Sequence, residues 1–191
     1  MFVQARLQKC LAVAVLLALI VSTSTNAQTK PKYLDELERQ ANSSLLFLFD
    51  SVPGTRQLVE DAAGVLVIPV VTKAAFVFGG AYGEGVLLID NQVADYYASV
   101  QGNFGLQAGA HQTSQVLVFT TDAALDEFRK AQNFVLGARS DFVLFDESRQ
   151  HGTDTMKGRT EIVAITFGKS GLLFGSSISG TKYSRLDKSQ S

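Results

Sequence analysis

The spacing of apolar positions changes along the chain, and each change predicts an element. Leu34, Leu37, Ala41, Leu45 and Leu48 recur at steps of three and four, while Asp35, Glu36, Glu38, Arg39 and Asn42 take the other side. That is an amphipathic helix over residues 33–49. It either packs on a sheet or lies on a membrane, and its acidic first turn favours the sheet, because interfacial helices usually carry Lys and Arg on their polar face. After "DSVPG" a shorter helix is predicted over 55–62, closed by Gly64. "VLVIPVV" then reads as a buried strand whose Pro69 cannot donate to a ladder and so marks an edge or a bulge.

Beyond it the pattern is β almost throughout, with strands over 76–80, 85–89, 96–101, 115–119, 142–145, 162–167 and 172–178. One helix interrupts them. "TTDAALDEFRKAQ" offers Thr121 or Asp122 as N-cap, acids in the first turn, and Arg129 and Lys130 near its end, in accord with the helix dipole. "ESRQHGTDTMKGRT", residues 147–160, is polar and aperiodic and reads as a mobile hairpin loop.

Glycines punctuate three of these apolar stretches: "FVFGGAYGEGVLLID", "QGNFGLQAGAHQ" and "GKSGLLFGSSISG". No nucleotide or hydrolase fingerprint fits them. A P-loop needs glycine five residues before "GKS", where Val163 stands; a dinucleotide turn would need glycine at Leu88; and neither "GKSGL" nor "GSSIS" completes a nucleophile elbow. Glycine within a strand marks a bulge, a bend, or close approach of backbone or ligand. The predicted fold is therefore α+β: a strongly curved, barrel-like antiparallel β-sheet with an N-terminal amphipathic helix and one or two further short helices. Curvature is the first reading of the glycines, and a groove bared for a ligand is the second.

The N-terminus changes the picture of where the domain works. Arg6 and Lys9 precede an apolar run over 10–21 and then "STSTNA", the pattern of a secretory signal peptide over 1–27. A retained anchor is the alternative, although so short a run falls well below the roughly 20 residues that span a bilayer. Cys10 lies before the apolar run, where a lipidated cysteine would follow it. It is the chain's one cysteine, so the remainder has no disulfide framework. A polar leader over 28–32 and a single domain over 33–188 complete the expected organisation. Without Arg6 and Lys9 the chain carries 15 basic against 18 acidic residues, a formal charge of −3, which argues against general nucleic-acid binding.

Candidate chemistry is sparse. His111 and His151 are the two histidines, and neither has a second nitrogen or sulfur ligand nearby in sequence, so no metal site is expected. Asp141, Asp146 and Glu147 flank one predicted strand as ordinary solvated acids. Lys73 stands amid apolar residues, where it snorkels, faces a ligand anion, or, as the favoured reading, pairs with an acid such as Glu84. No catalytic residues and no cofactor are expected.

Three segments, "AAGVLVIPVVTKAAFVFGGAYGEGVLLI", "ADYYASVQGNFGLQAGAHQTSQVLVF" and "GLLFGSSISGTKYSR", together resemble the SYLF domain family, in its secreted bacterial branch. The resemblance spans residues 34–185. Eukaryotic relatives carry a tryptophan and a proline before the middle segment, whereas this chain has no Trp and reads "ADYYASV" there, a departure that puts the transfer of actin-related roles in doubt. The resemblance implies binding of anionic phospholipid at a membrane surface. It places the contact on the N-terminal helix, with Leu34, Leu37, Leu45 and Leu48 as its apolar face, and on basic residues drawn from Lys30, Lys32, Lys73, Lys157, Arg159, Lys169, Lys182 and Arg185. The expected protein is exported, periplasmic or secreted, non-enzymatic, and peripherally bound to membrane. A structural or protein-interaction component of the bacterial envelope, possibly a homo-oligomer, is the rival. An enzyme, which would need a clustered Ser, His and acid, comes third.

Overall fold

The computed structural model of the chain describes residues 31–75, 79–103, 109–137, 142–144, 161–168, 171–172 and 180–187. Two helices, α1 (Lys32–Ser51) and α2 (Thr55–Glu60), precede four long strands: β1 (Gly64–Ala75), β2 (Gly79–Ile89), β3 (Gln92–Asn103) and β4 (Gly109–Phe119). Helix α3 (Asp122–Lys130) follows, then β5 (Asn133–Val135), β6 (Phe142–Leu144), β7 (Ile162–Gly168), β8 (Gly171–Leu172) and β9 (Lys182–Arg185). The strands form one sheet in the order β5-β9-β3-β2-β1-β4-β7-β6, with β8 added to β7. It curls into a half-barrel, as the glycine-rich pattern predicts.

All pairings are antiparallel among the described residues except β6 with β7, which is parallel. A two-residue turn joins β2 to β3, and Asp90 and Asn91 both have positive φ there (50° and 58°), the geometry whose twist matches a hairpin.

Two layers of core lie on either side of the sheet. On the outer face α1 buries Leu34, Leu37, Ala41, Leu45 and Leu48 against Val65, Val67, Val86, Val116, Val118, Val163 and Ile165. On the concave face Phe128 of α3 sits among aromatic rings, with centroids 4.6 Å from Tyr97, 4.8 Å from Phe119 and 5.1 Å from Phe134. Thr121 caps α3 by accepting a hydrogen bond from the Ala124 amide at 3.2 Å, and Arg129 and Lys130 close its last turn.

Several expectations shift in detail. Pro69 lies in β1, a central strand, and the ladder breaks around it: the register slips between Val67 and Val70 against β2, and between Ile68 and Val71 against β4. The bulge outcome holds, because a strand flanked on both sides tolerates a missing donor only where pairing is already interrupted. Residues 79–80 of the strand expected at 76–80 and the strand expected at 85–89 belong to one strand, β2, which runs through Gly83 and Gly85, while residues 76–78 lie outside the described residues. A Cβ on Gly85 would stand 2.3 Å from the Val67 carbonyl oxygen, and one on Gly83 2.7 Å from that of Val70. These two glycines let β2 close on the bulged backbone. Strands β5 and β9 were not anticipated. The loop expected at 147–160 lies outside the described residues, as do residues 173–178 of the last predicted strand.

Candidate functional site

The bulge ends the cover that α1 gives the outer face. Past it, the register aligns one residue from each of six strands in a continuous row: Val135, Lys182, Val100, Tyr82, Thr72 and Gln112. Every member of the row is exposed, Val100 and Tyr82 each by 50%. Their strand neighbours Phe134, Tyr183 and Val71 turn inward to the concave core. The row is thus the outer half of a strand alternation whose other half is buried.

One flank of α1 faces this strip. Tyr33, Leu37, Gln40, Ser44 and Phe47 follow at helical spacing and border two grooves separated by Pro69 and Val70. The first, about 400 Å³, runs between Tyr33, Glu36 and Gln40 of α1 and Val70, Tyr82 and Glu84 of the sheet. The second, about 260 Å³, lies between Ser43, Phe47 and Phe167, with Gln112 and Ser114 on its far wall. Phe47 stacks on Phe167 with centroids 6.0 Å apart. Ser114 Oγ donates to the Pro69 carbonyl at 2.7 Å, so the bulge between the grooves is held by a side chain of β4.

Charge is uneven along the strip. Tyr82 OH donates to Glu84 Oε1 at 2.5 Å, and this bond to a carboxylate, ahead of partial burial, pushes the phenol up to about 12. Glu36 is bridged by Arg39, which holds its carboxyl below the usual range. Glu84 makes no ion pair among the described residues. Tyr82 meets the Glu84 carboxylate, and the register sets Lys73 opposite Ala81 and His111; the Lys73 side chain, and with it the expected pairing with Glu84, lies outside what the structure describes.

The structure disperses the basic residues singled out from sequence. Lys32 is exposed at the start of α1 beside Tyr33, and Lys182 is exposed within the row. Arg185, three residues on, serves the other face: it donates to Tyr97 OH at 3.3 Å and to the Arg129 carbonyl at 2.9 Å, and approaches Asp95 at 3.7 Å. Lys30, Lys157, Arg159 and Lys169 lie outside the described residues. Leu34, Leu37, Leu45 and Leu48 are core residues here, buried under the helix, and the exposed apolar side chains of α1 are Tyr33, Leu46 and Phe47. Sequence reading followed the leucine stripe and passed over the aromatic pair on its edge.

Among the described residues no group of His, Cys, Asp and Glu is arranged to hold a metal ion, and no helix is long and apolar enough to cross a membrane.

Fold and surface together define a class, an α+β half-barrel whose outer face is half covered by an amphipathic helix and half bare. The family model described as Ysc84, Las17-binding protein actin regulator, matches residues 100–190, and the match bears out the SYLF resemblance drawn from the sequence. Among curated proteins none matches the chain.

Proposed function

We propose that this domain binds phospholipid peripherally, as an exported, non-enzymatic protein, through the bare half of its outer face. The observation that carries the reading is the exposed row across six strands, flanked by Tyr33 and Phe47 of α1. Exposed apolar side chains gathered into one strip mark a contact surface. Tyr33 and Tyr82 suit the membrane interface, where an aromatic ring is buried and its hydroxyl stays wet. Lys182 and Lys32 add electrostatic attraction to an anionic surface, each on the order of 1 kcal/mol. The SYLF match supports the same reading by family. The buried leucines of α1 contribute by holding the helix in place.

Flotation of the chain with phosphatidylglycerol vesicles and with neutral vesicles, across a salt series, tests this. Binding to the anionic vesicles that weakens with salt, and weakens further in a Tyr82→Ser, Val100→Ser double variant, is the expected result. Both positions are half exposed, so the variant should unfold within about 0.5 kcal/mol of the parent. Failure of the parent chain to bind either vesicle would return the strip to the rival role, contact with an envelope protein.

A further inference from the structure

We infer that the groove between α1 and the β1 bulge receives the ammonium end of a phospholipid headgroup, an ethanolamine or choline cation. This rests on the lipid reading above and specifies what one part of that surface selects. The two grooves flanking Val70 differ in chemistry. The Phe47 groove has no charged residue in its lining, only hydroxyls, an amide and aromatic and aliphatic groups. The Tyr33 groove has Tyr33, Tyr82, Glu36 and Glu84, and none of its lining residues is basic.

Tyrosine rings beside carboxylates are what an organic cation needs. The ring faces attract it through their quadrupole, and a carboxylate supplies the countercharge. Glu36 is already answered by Arg39, whereas Glu84 forms no ion pair among the described residues and is the carboxylate offered to a cation. Its bond from Tyr82 uses one oxygen as acceptor and fixes the carboxylate beside the ring. Tyr33 and Tyr82 both line this groove, which puts the two rings at one site. The positive end of the α1 dipole is met by Asp35 in the first turn, leaving the Glu84 side of the groove negative. At about 400 Å³ and open to solvent, the groove has room for a trimethylammonium group and the phosphate that follows it. That phosphate then lies toward the surface on which Lys32 and Lys182 stand. An anionic headgroup without an amine gains nothing from this groove and is held by the lysines alone.

The experiment compares the purified full chain on vesicles of pure phosphatidylglycerol and of phosphatidylglycerol mixed with phosphatidylethanolamine, and in solution with choline and phosphoethanolamine as soluble probes. Tyr33 and Tyr82 ring resonances report occupancy directly. Glu84→Gln keeps an oxygen to accept from Tyr82 while removing the charge, and Tyr33→Ser removes an exposed ring, so neither variant threatens the fold. The expected result is binding about three- to tenfold tighter when ethanolamine lipid is present, with saturable shifts of both rings by the soluble cations. Both effects should be lost in Glu84→Gln, with binding to pure phosphatidylglycerol retained. Equal affinity for the two vesicles, or an increment that survives Glu84→Gln, overturns the inference and leaves the lipid reading standing. If no vesicle is bound, the lipid reading has failed instead, and the choline titration still decides whether the groove is a cation site: ring shifts abolished by Glu84→Gln uphold it, and their absence overturns it.

Discussion

The two ends of the long strands are built from the same alternation and finished differently. Near the start of β1 the sheet is covered twice: Leu66, Leu87, Tyr97, Leu117 and Phe119 pack under α3, and Val65, Val67, Val86, Val116 and Val118 pack under α1. Past the Pro69 bulge the concave positions remain buried but become mixed, with polar Ser99, Thr113, Gln115 and Thr166 beside Val71, Ala81 and Tyr183. The outer positions there are bare. A β-bulge changes strand direction and twist locally, so a straight helix laid on the first half of the sheet cannot follow the second. The closed end buries core on both faces of the sheet, and the open end keeps apolar side chains exposed on its outer face.

The comparison breaks first if the closed end is not where stability resides. Phe128→Ala removes the ring that four others surround, the fourth being Tyr183 at 6.1 Å, and should cost about 3–5 kcal/mol in urea unfolding. A cost below about 1 kcal/mol would show that the aromatic cluster is not what holds the domain. Next comes the bulge. Gly85→Ala forces a methyl against the Val67 carbonyl, which is backbone and cannot swing aside, so a loss of about 1–3 kcal/mol is expected. Gly102→Ala, with nothing near the added carbon, serves as its control.

The polar concave positions give an effect of opposite sign. Thr166 stands opposite Gln115 in the β4–β7 ladder, and its Oγ1 is buried without a hydrogen-bond partner among the described residues, as are Thr113 Oγ1 and Gln115 Oε1. Replacing an unsatisfied hydroxyl by a methyl of the same shape removes a desolvation cost, so Thr166→Val should stabilise by about 1 kcal/mol. A loss in thermal unfolding, in place of that gain, would mean that the hydroxyl has a bound partner.

What could be read from the sequence follows the same division. The leucine stripe of α1 and the capped, charge-ordered α3 were legible because each is set by local spacing, and the buried runs of β1, β4 and β7 by unbroken apolar residues. β5 and β9, with three and four residues, are too short to show a period. The early residues of β4, "GAHQTS", show no strand pattern in the sequence because they carry neither an apolar run nor an apolar–polar alternation. The bare row could not be read at all, since Tyr82, Val100 and Lys182 become neighbours only through the register of three strands. Arg185 shows the converse: it is close to Lys182 in sequence, yet one residue of alternation too many puts it on the opposite face, over the Tyr97 ring.

The smallest effect separates the buried cluster from the bare strip by titration. Three tyrosines are held above the ordinary phenol value for different reasons. Burial raises Tyr97 and Tyr183 in the aromatic cluster around Phe128, whereas on the bare strip Tyr82 is raised to about 12 chiefly by its bond to the Glu84 carboxylate. In each case the folded value exceeds the unfolded one, so the stabilising contribution is intact below about pH 10 and is lost as pH climbs through the folded value. For Tyr82 that window runs from about 10 to about 12. Because the Tyr82 ring is half exposed, its phenolate can form without opening the core, while Tyr97 and Tyr183 ionise only as the fold gives way. Tyrosinate absorbance should therefore rise in a reversible step assigned to Tyr82, followed by a step that coincides with unfolding. Glu84→Gln replaces the anionic acceptor by a neutral one and should move the first step down toward 10 without moving the second. If both steps move together, the buried and the exposed tyrosines share one cooperative environment, and the distinction between a closed core and an open strip does not hold for their titration.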